Sequence, residues 1–194
     1  MPEAALVRLG DPGRPEIEAF IRRVYALRHN AQVDTFPSNL IAVRDVHGDV
    51  ICAAGLRTAE DGFFSESYLD APVERILSRL VDKDVDRNEI LEISTLVSLA
   101  PAKLPRFLAR LIAFGEEHRF SWSFFTATRR LRRVVEKVGL APIYLADADR
   151  TRIENSERWG SYYALEPRVY AVTRLPVRLI DFASDGRGHH ALPV

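Results

Sequence analysis

A single cysteine, Cys52, stands in the whole chain of 194 residues, which excludes an internal disulfide and a cysteine-based zinc site. It lies inside an apolar run, where a thiol is expected to pack as a small hydrophobe rather than act as a nucleophile. No sign of charge dominates either. Lys plus Arg and Asp plus Glu number 27 each, so no overall field draws the chain to nucleic acid or an anionic membrane. No uncharged apolar run approaches the about 18 residues of a transmembrane helix. The opening MPEAALVRLGDPGRPE lacks the basic, apolar, small-residue order of a signal peptide, so a soluble cytoplasmic protein is expected. His29, His47, His118, His189 and His190 show no ligand spacing with acids or cysteine, and no metal site is expected. Internal repeats, low-complexity blocks and linkers are also missing.

What is present is ordinary for a globular protein: 47% hydrophobic and 28% charged residues, in a length that can bury one core. One domain over residues 1–180 is expected, with residues 181–194 forming a tail around Ser184-Asp185-Gly186-Arg187-Gly188. Pro15 suits the first turn of a helix whose Ile17, Phe20, Ile21, Val24 and Tyr25 share one face. Asn39–Arg44 and Val50–Arg57 read as a hairpin turning near His47-Gly48, and Phe63–Leu69 as a third strand. A short helix from Pro72 to about Val81 precedes the longest strand candidate, Glu89–Ala100. An amphipathic helix follows with Pro105 in its first turn and Leu104, Phe107, Leu108, Leu111 and Ile112 on its apolar face. Ser121–Thr128 reads as a strand and Leu131–Val138 as a helix stopped at Gly139. Pro142–Ala146 and Tyr162–Arg174 are expected to close the sheet.

Several side chains stand out against this frame. As a strand, FFSESYLD would place Glu66 between Phe64 and Tyr68 on one face. In the long strand, Glu92 shares a face with Ile90, Ser94 and Leu96. A carboxylate among apolar neighbours is costly unless it is paired or used. Two such acids in one cleft could supply a base with a raised pKa; alternatively, each pairs structurally with an arginine such as Arg57. In FTATRRLRR, Thr126 and Thr128 sit where a strand gives way to a helix, and Thr128 could cap it. Arg129, Arg130, Arg132 and Arg133 form a solvated face or a dock for a phosphate or an acidic carrier. WGSYY, with Trp159 and Tyr162, either anchors the core or lines a pocket.

The order of elements, a meander followed by strand–helix–strand–helix–strand, is similar to that of the GNAT acyltransferases, an α/β (α+β) fold with a central mixed sheet flanked by helices. More specifically, FFSESYLDAPVE, FTATRRLRRVVEKVGL, YLADADR and WGSYY resemble the thermostable hemolysin family, itself GNAT-like and similar to the acyl-homoserine-lactone synthases. The resemblance runs from about Tyr25 to Leu175. By analogy with the autoinducer synthases it implies active-site positions at Asp34, Arg57 and Glu92. One feature departs from the GNAT pattern. The glycine-rich pyrophosphate loop that usually follows the long strand is replaced by Ala100-Pro101-Ala102-Lys103-Leu104-Pro105-Arg106. Free backbone donors after Pro105, beside Arg106, could still hold a single phosphate.

Together these readings lead to an expected N-acyltransferase that moves an acyl group from a phosphopantetheine thioester to a small-molecule amine. The donor would be acyl-CoA or an acyl-carrier protein. Glu92 would accept the amine's proton, and backbone donors at Leu96, Val97 and Ser98 would steady the thioester oxygen. Glu66 and Asp34 would hold the amine. Arg57, Tyr68, Thr126, Trp159 and Tyr162 would line the substrate site, with Trp159 and Tyr162 walling the acyl chain. Direct attack is expected because no Ser–His or Cys–His pair is recognisable. A thioester-binding module without catalysis and a membrane-acting hemolysin are the alternative readings.

Overall fold

The computed structural model describes residues 4–173, so the expected tail at 181–194 lies outside the described residues. Seven strands form one sheet: β1 (Ala4–Arg8), β2 (Asn39–Arg44), β3 (Val50–Arg57), β4 (Ile90–Ser98), β5 (Trp122–Ala127), β6 (Ile143–Asp147) and β7 (Arg168–Val172). Their spatial order is β1-β2-β3-β4-β5-β7-β6. Every neighbouring pair is antiparallel except β4 and β5, which are parallel and joined by a crossover through α3 (Leu104–Glu117). The remaining helices are α1 (Arg14–His29), α2 (Val73–Val81) and α4 (Arg129–Lys137). This is the expected mixed α/β architecture.

Helix α1 buries the predicted stripe, Ile17, Phe20, Ile21, Val24 and Tyr25, on one face of the sheet against Leu40, Ala53 and Val97. The opposite face carries Cys52, Ala54, Leu56 and Phe125, covered by Phe107, Leu108 and Leu111 of α3 and Val135 of α4. Alternation along β3 therefore feeds two cores, as the period of a strand requires. Thr128 caps α4 through a long 3.5 Å bond from the Leu131 amide, and Gly139 follows that helix at φ 89°. A third core gathers Phe63, Tyr68, Leu69, Val73, Leu77 and Trp122 beneath α2.

Two expectations about elements are corrected, and one strand is new. Phe63–Leu69 is not a strand: Ser65–Tyr68 forms a 3₁₀ turn. The Phe64 and Ser65 amides, which a ladder would need, are instead given to the Glu92 carboxylate. The last strand begins at Arg168, not Tyr162, because Tyr162–Leu165 is another 3₁₀ turn, ended by Glu166 at φ 47°. Finally, β1 was not anticipated. It is a five-residue edge strand with only Val7 buried, too short to show a period.

Candidate active site

The sheet splits at its centre. β4 and β5 pair only through Ile90↔Trp122, Leu91↔Ser123 and Glu92↔Phe124, although the strands run on to Ser98 and Ala127. On its other edge β4 carries a bulge: Ala53 pairs with Val97 but Gly55 with Ser94, so β4 spends one residue more than β3. Within that bulge Thr95 sits at φ 46°. A left-handed β-branched residue is a strained one, costing of order 1–3 kcal/mol, and such strain collects at functional sites. The bulge turns β4 away from β5 and opens a wedge at the carboxyl ends of two parallel strands, where open α/β sheets commonly bind ligands.

A cavity of about 820 Å³ occupies the wedge and reaches both faces of the sheet. Its lining changes character between them. On the α1 face it meets Arg57, Glu92, Ser94 and Thr126, with Asp34, Ser65 and Tyr68 from the loops. On the α3 and α4 face it meets Leu104, Leu108, Leu111, Leu131, Val134 and Val135. Leu96, Val97 and Ser98 line the gap between, where β4 has no ladder partner on β5. The shape suits a ligand that is polar at one end and hydrocarbon at the other.

Glu92 is completely buried. Its Oε1 accepts the Ser65 amide at 2.8 Å and the Ser65 hydroxyl at 2.6 Å, and its Oε2 accepts the Phe64 amide at 2.6 Å. The Ser65 oxygen also lies 2.8 Å from the Thr126 hydroxyl, giving a continuous chain Thr126–Ser65–Glu92. Burial pushes the Glu92 carboxyl above its ordinary pKa, against the hydrogen bonds from Ser65 and Phe64 and the nearby Arg57 charge, which favour ionisation. Glu92 thus anchors the 3₁₀ turn from the cavity wall.

Glu66, expected to share the cleft with Glu92, does not reach it. The 3₁₀ turn swings it toward α2, where it accepts the Val73 amide and two bonds from Arg87 at 2.7 and 2.8 Å. Burial alone would raise its pKa, but Arg87 and the Val73 amide hold it below the ordinary value. Glu66→Gln should therefore lower stability by about 1–2 kcal/mol. Cavity chemistry per folded molecule should be unchanged, as denaturant melts beside activity measurements would show.

The other expected residues fall around the cavity with one exception. Asp34 lines it and pairs with Arg158 at 2.5 Å. Tyr68 lines it and shares a 2.7 Å bond with Tyr163. Trp159 and Tyr162, expected to wall an acyl chain, form an aromatic wall with Tyr25 and Phe64 on the α1 side, across the sheet from the leucine and valine lining. Arg106 is the exception: it is exposed on α3 and off the cavity lining, whereas Arg129 and Arg130 at the start of α4 line it. Helix α3 turns Phe107 and Leu108 inward, which leaves Arg106 facing out.

Some lining residues were not identified from the sequence. Ser65 was hidden by the strand reading of FFSESYLD. Arg28 donates to the Ser98 carbonyl at 2.5 Å, tying the end of α1 to the end of β4. His29 also lines the cavity, and burial together with the Arg28 charge lowers its pKa, so the ring is neutral at pH 7. Cys52 gives its thiol to Ser98 at 3.2 Å, and burial raises its pKa, so it stays a protonated core residue.

Solved structures similar to this chain share its fold at low identity. The acyl-homoserine-lactone synthase LasI superposes with a TM-score of 0.59 at 9% identity, covering 89% of this chain and 91% of its own. FeeM, an N-acyl amino acid synthase from uncultured soil microbes, gives 0.58 at 12% identity, covering 89% and 91%. A GNAT-family acetyltransferase from Staphylococcus aureus Mu50 gives 0.51 at 11% identity, covering 88% and 99%. No curated protein matches the sequence. The fold is thus GNAT-like. Residues 7–176 match the family described as thermostable hemolysin, and the chain belongs to that family.

Proposed function

We propose that the protein is an N-acyltransferase that moves an acyl group from a phosphopantetheine thioester to an amine. The observation that carries this reading is the division of one cavity, at the split between β4 and β5, into a polar half holding a buried carboxylate and a hydrocarbon half. The fold shared with acyl-homoserine-lactone synthases and an N-acyl amino acid synthase supports it.

In this reading the pantetheine arm lies in the wedge beside β4, where strand backbone lacks a partner. The acyl chain extends between α3 and α4. The amine enters from the α1 face. Its nitrogen attacks the thioester carbon, and the developing oxyanion is met by backbone donors of the bulged segment near Leu96, Val97 and Ser98. The amine's proton passes to Glu92, directly or through the Ser65 hydroxyl that already bonds it. The carbon–sulfur bond then breaks, the amide remains, and the thiolate leaves to take a proton. Asp34, on the cavity lining beside Arg158, would orient the incoming amine. Arg129 and Arg130, which line the cavity where Arg106 does not, would meet the donor's phosphate, whether it belongs to coenzyme A or to a carrier protein.

Incubating the protein with acyl-CoA and acyl-carrier protein of graded chain length, with a pool of amines, tests the reading. Thiol release that requires an amine, with one amide formed per thiol, is expected. Tight thioester binding without amide would leave a binding module. Leu111 faces the hydrocarbon half, so Leu111→Trp should shift the preferred acyl group toward shorter chains, read from the product distribution. An unchanged chain-length profile would remove the acyl chain from that half.

A further inference from the structure

Buried polar atoms without a partner are rare in folded proteins, and each calls for an explanation. Among the described residues three side-chain atoms are in this state: Arg57 Nε, Ser94 Oγ and Thr95 Oγ1. All three residues line the same cavity. Arg57 is the most telling, since its side chain makes no hydrogen bond or ion pair among the described residues. Nearby arginines are engaged: Arg14 with Glu18, Arg28 with Ser98, Arg87 with Glu66 and Glu74. The strand register places Arg57 opposite Glu92 and Gly55 opposite Ser94, so Arg57, Glu92 and Ser94 stand on one face of the sheet. Gly55 makes room on that face: a Cβ there would come within 2.6 Å of the Ser94 oxygen and 2.8 Å of Pro37 Cγ.

We propose that the acceptor amine is an α-amino acid, whose carboxylate is held by Arg57 with the Ser94 and Thr95 hydroxyls while its amine faces Glu92. This rests on the acyl-transfer reading above and specifies its acceptor. A planar guanidinium fork beside two hydroxyls matches the two oxygens of a carboxylate. Directly opposed residues of an antiparallel pair have Cβ atoms about 4.5–5.5 Å apart. The group that reads the anion and the group that takes the proton are therefore neighbours. An amine and a carboxylate on one carbon satisfy both at once. A simple alkylamine leaves the buried Arg57 Nε and the two hydroxyls without a partner, and a polyamine brings a second cation toward the guanidinium. Beyond the two groups, the wall of Tyr25, Trp159 and Tyr162 receives an apolar side chain.

The test supplies an acyl-CoA with leucine, leucinamide or isopentylamine and measures N-acyl product by mass spectrometry. Leucine should be preferred over isopentylamine by roughly 10- to 10²-fold in kcat/KM, the scale for a half-buried charge left without its partner. Arg57→Met should remove that preference, and Arg57→Lys, which keeps the charge but not the fork, should retain part of it. Transfer to all three acceptors with equal efficiency, unchanged in both variants, overturns the amino-acid assignment and leaves acyl transfer standing. A second measurement does not depend on turnover: calorimetry of N-decanoyl-leucine against N-decanoyl-leucinamide. Tighter binding of the acid, lost in Arg57→Met, supports the carboxylate site even where no transfer occurs. Equal binding of acid and amide overturns it.

Discussion

Replacing Glu92 with glutamine should cut turnover by roughly 10² to 10⁴-fold, the usual contribution of a general base. The substitution also disturbs an anchor. Glutamine keeps one acceptor oxygen but turns an amide toward either the Ser65 or the Phe64 donors, leaving a donor facing a donor. A stability loss of about 1–3 kcal/mol is expected beside the loss of rate. The two effects are separable by rates normalised to folded protein. If Glu92 serves only as an anchor, the melting temperature falls while the rate per folded molecule is kept. Ser65→Ala sharpens the comparison, because both backbone bonds to Glu92 remain and only the hydroxyl link is removed. It should slow transfer with a smaller change in stability.

Glu92 also predicts a pH profile. Its pKa is raised by burial above the ordinary value of 4.5. The base works only when ionised, so activity should rise with pH along a limb above the usual carboxylate range. That limb should vanish in Glu92→Gln. The sign for stability is opposite. Between the unfolded and the raised folded pKa the native state holds a proton that the unfolded chain has released. The residue's contribution to stability is therefore full below the unfolded pKa and declines as pH rises through the folded one. Activity and stability should cross in the same window.

The largest effect on folding is expected at Gly160. It sits at φ 52°, and a Cβ there would lie 2.0 Å from the His29 carbonyl oxygen and 2.7 Å from that of Asn30. Both are backbone atoms at the end of α1 and cannot turn aside. The close approach lets Ser161 donate its amide to the His29 carbonyl at 2.8 Å and sets Trp159 and Tyr162 against Tyr25. Gly160→Ala should cost about 3 kcal/mol or more, combining backbone strain with a clash. For a chain of this length that corresponds to roughly 6–12 °C in melting temperature. The aromatic wall should loosen with it, read as increased exposure of Trp159 in fluorescence. An unchanged melt would mean that the WGSYY segment is not held against α1.

Elements with strong local signals were legible in the sequence. Asn39–Arg44 and Val50–Arg57 were placed to the residue, and the stripe of α1 was read correctly, because alternation and helical spacing decide those segments. Glu92 stood out because a carboxylate between Ile90 and Leu96 conflicts with its surroundings, and the structure places it buried on the cavity. What failed was decided by distant partners. FFSESYLD has strand-like alternation, but Glu92 takes two of its amides from 27 and 28 residues away. Glu66 went astray with it, since its face depended on the strand. The bulge at Thr95 left no local mark: Ile-Ser-Thr-Leu-Val is good strand sequence, and the register slip appears only when β3 is paired. Arg106 and Arg130 are both basic residues near helix starts. Only the packing of α3 and α4 on the sheet turns one outward and the other to the cavity.

The most direct test of this account is a crystal structure with an acyl-pantetheine analogue in which a thioether replaces the thioester. The account predicts the pantetheine between β4 and β5, the sulfur beside the bulge at Thr95, and the acyl chain among Leu108, Leu111 and Val134. It also predicts that the α1 half, with Glu92 and Arg57, stays open for the amine. An analogue bound outside the wedge, or an acyl chain lying against Trp159 and Tyr162 on the α1 face, would contradict it.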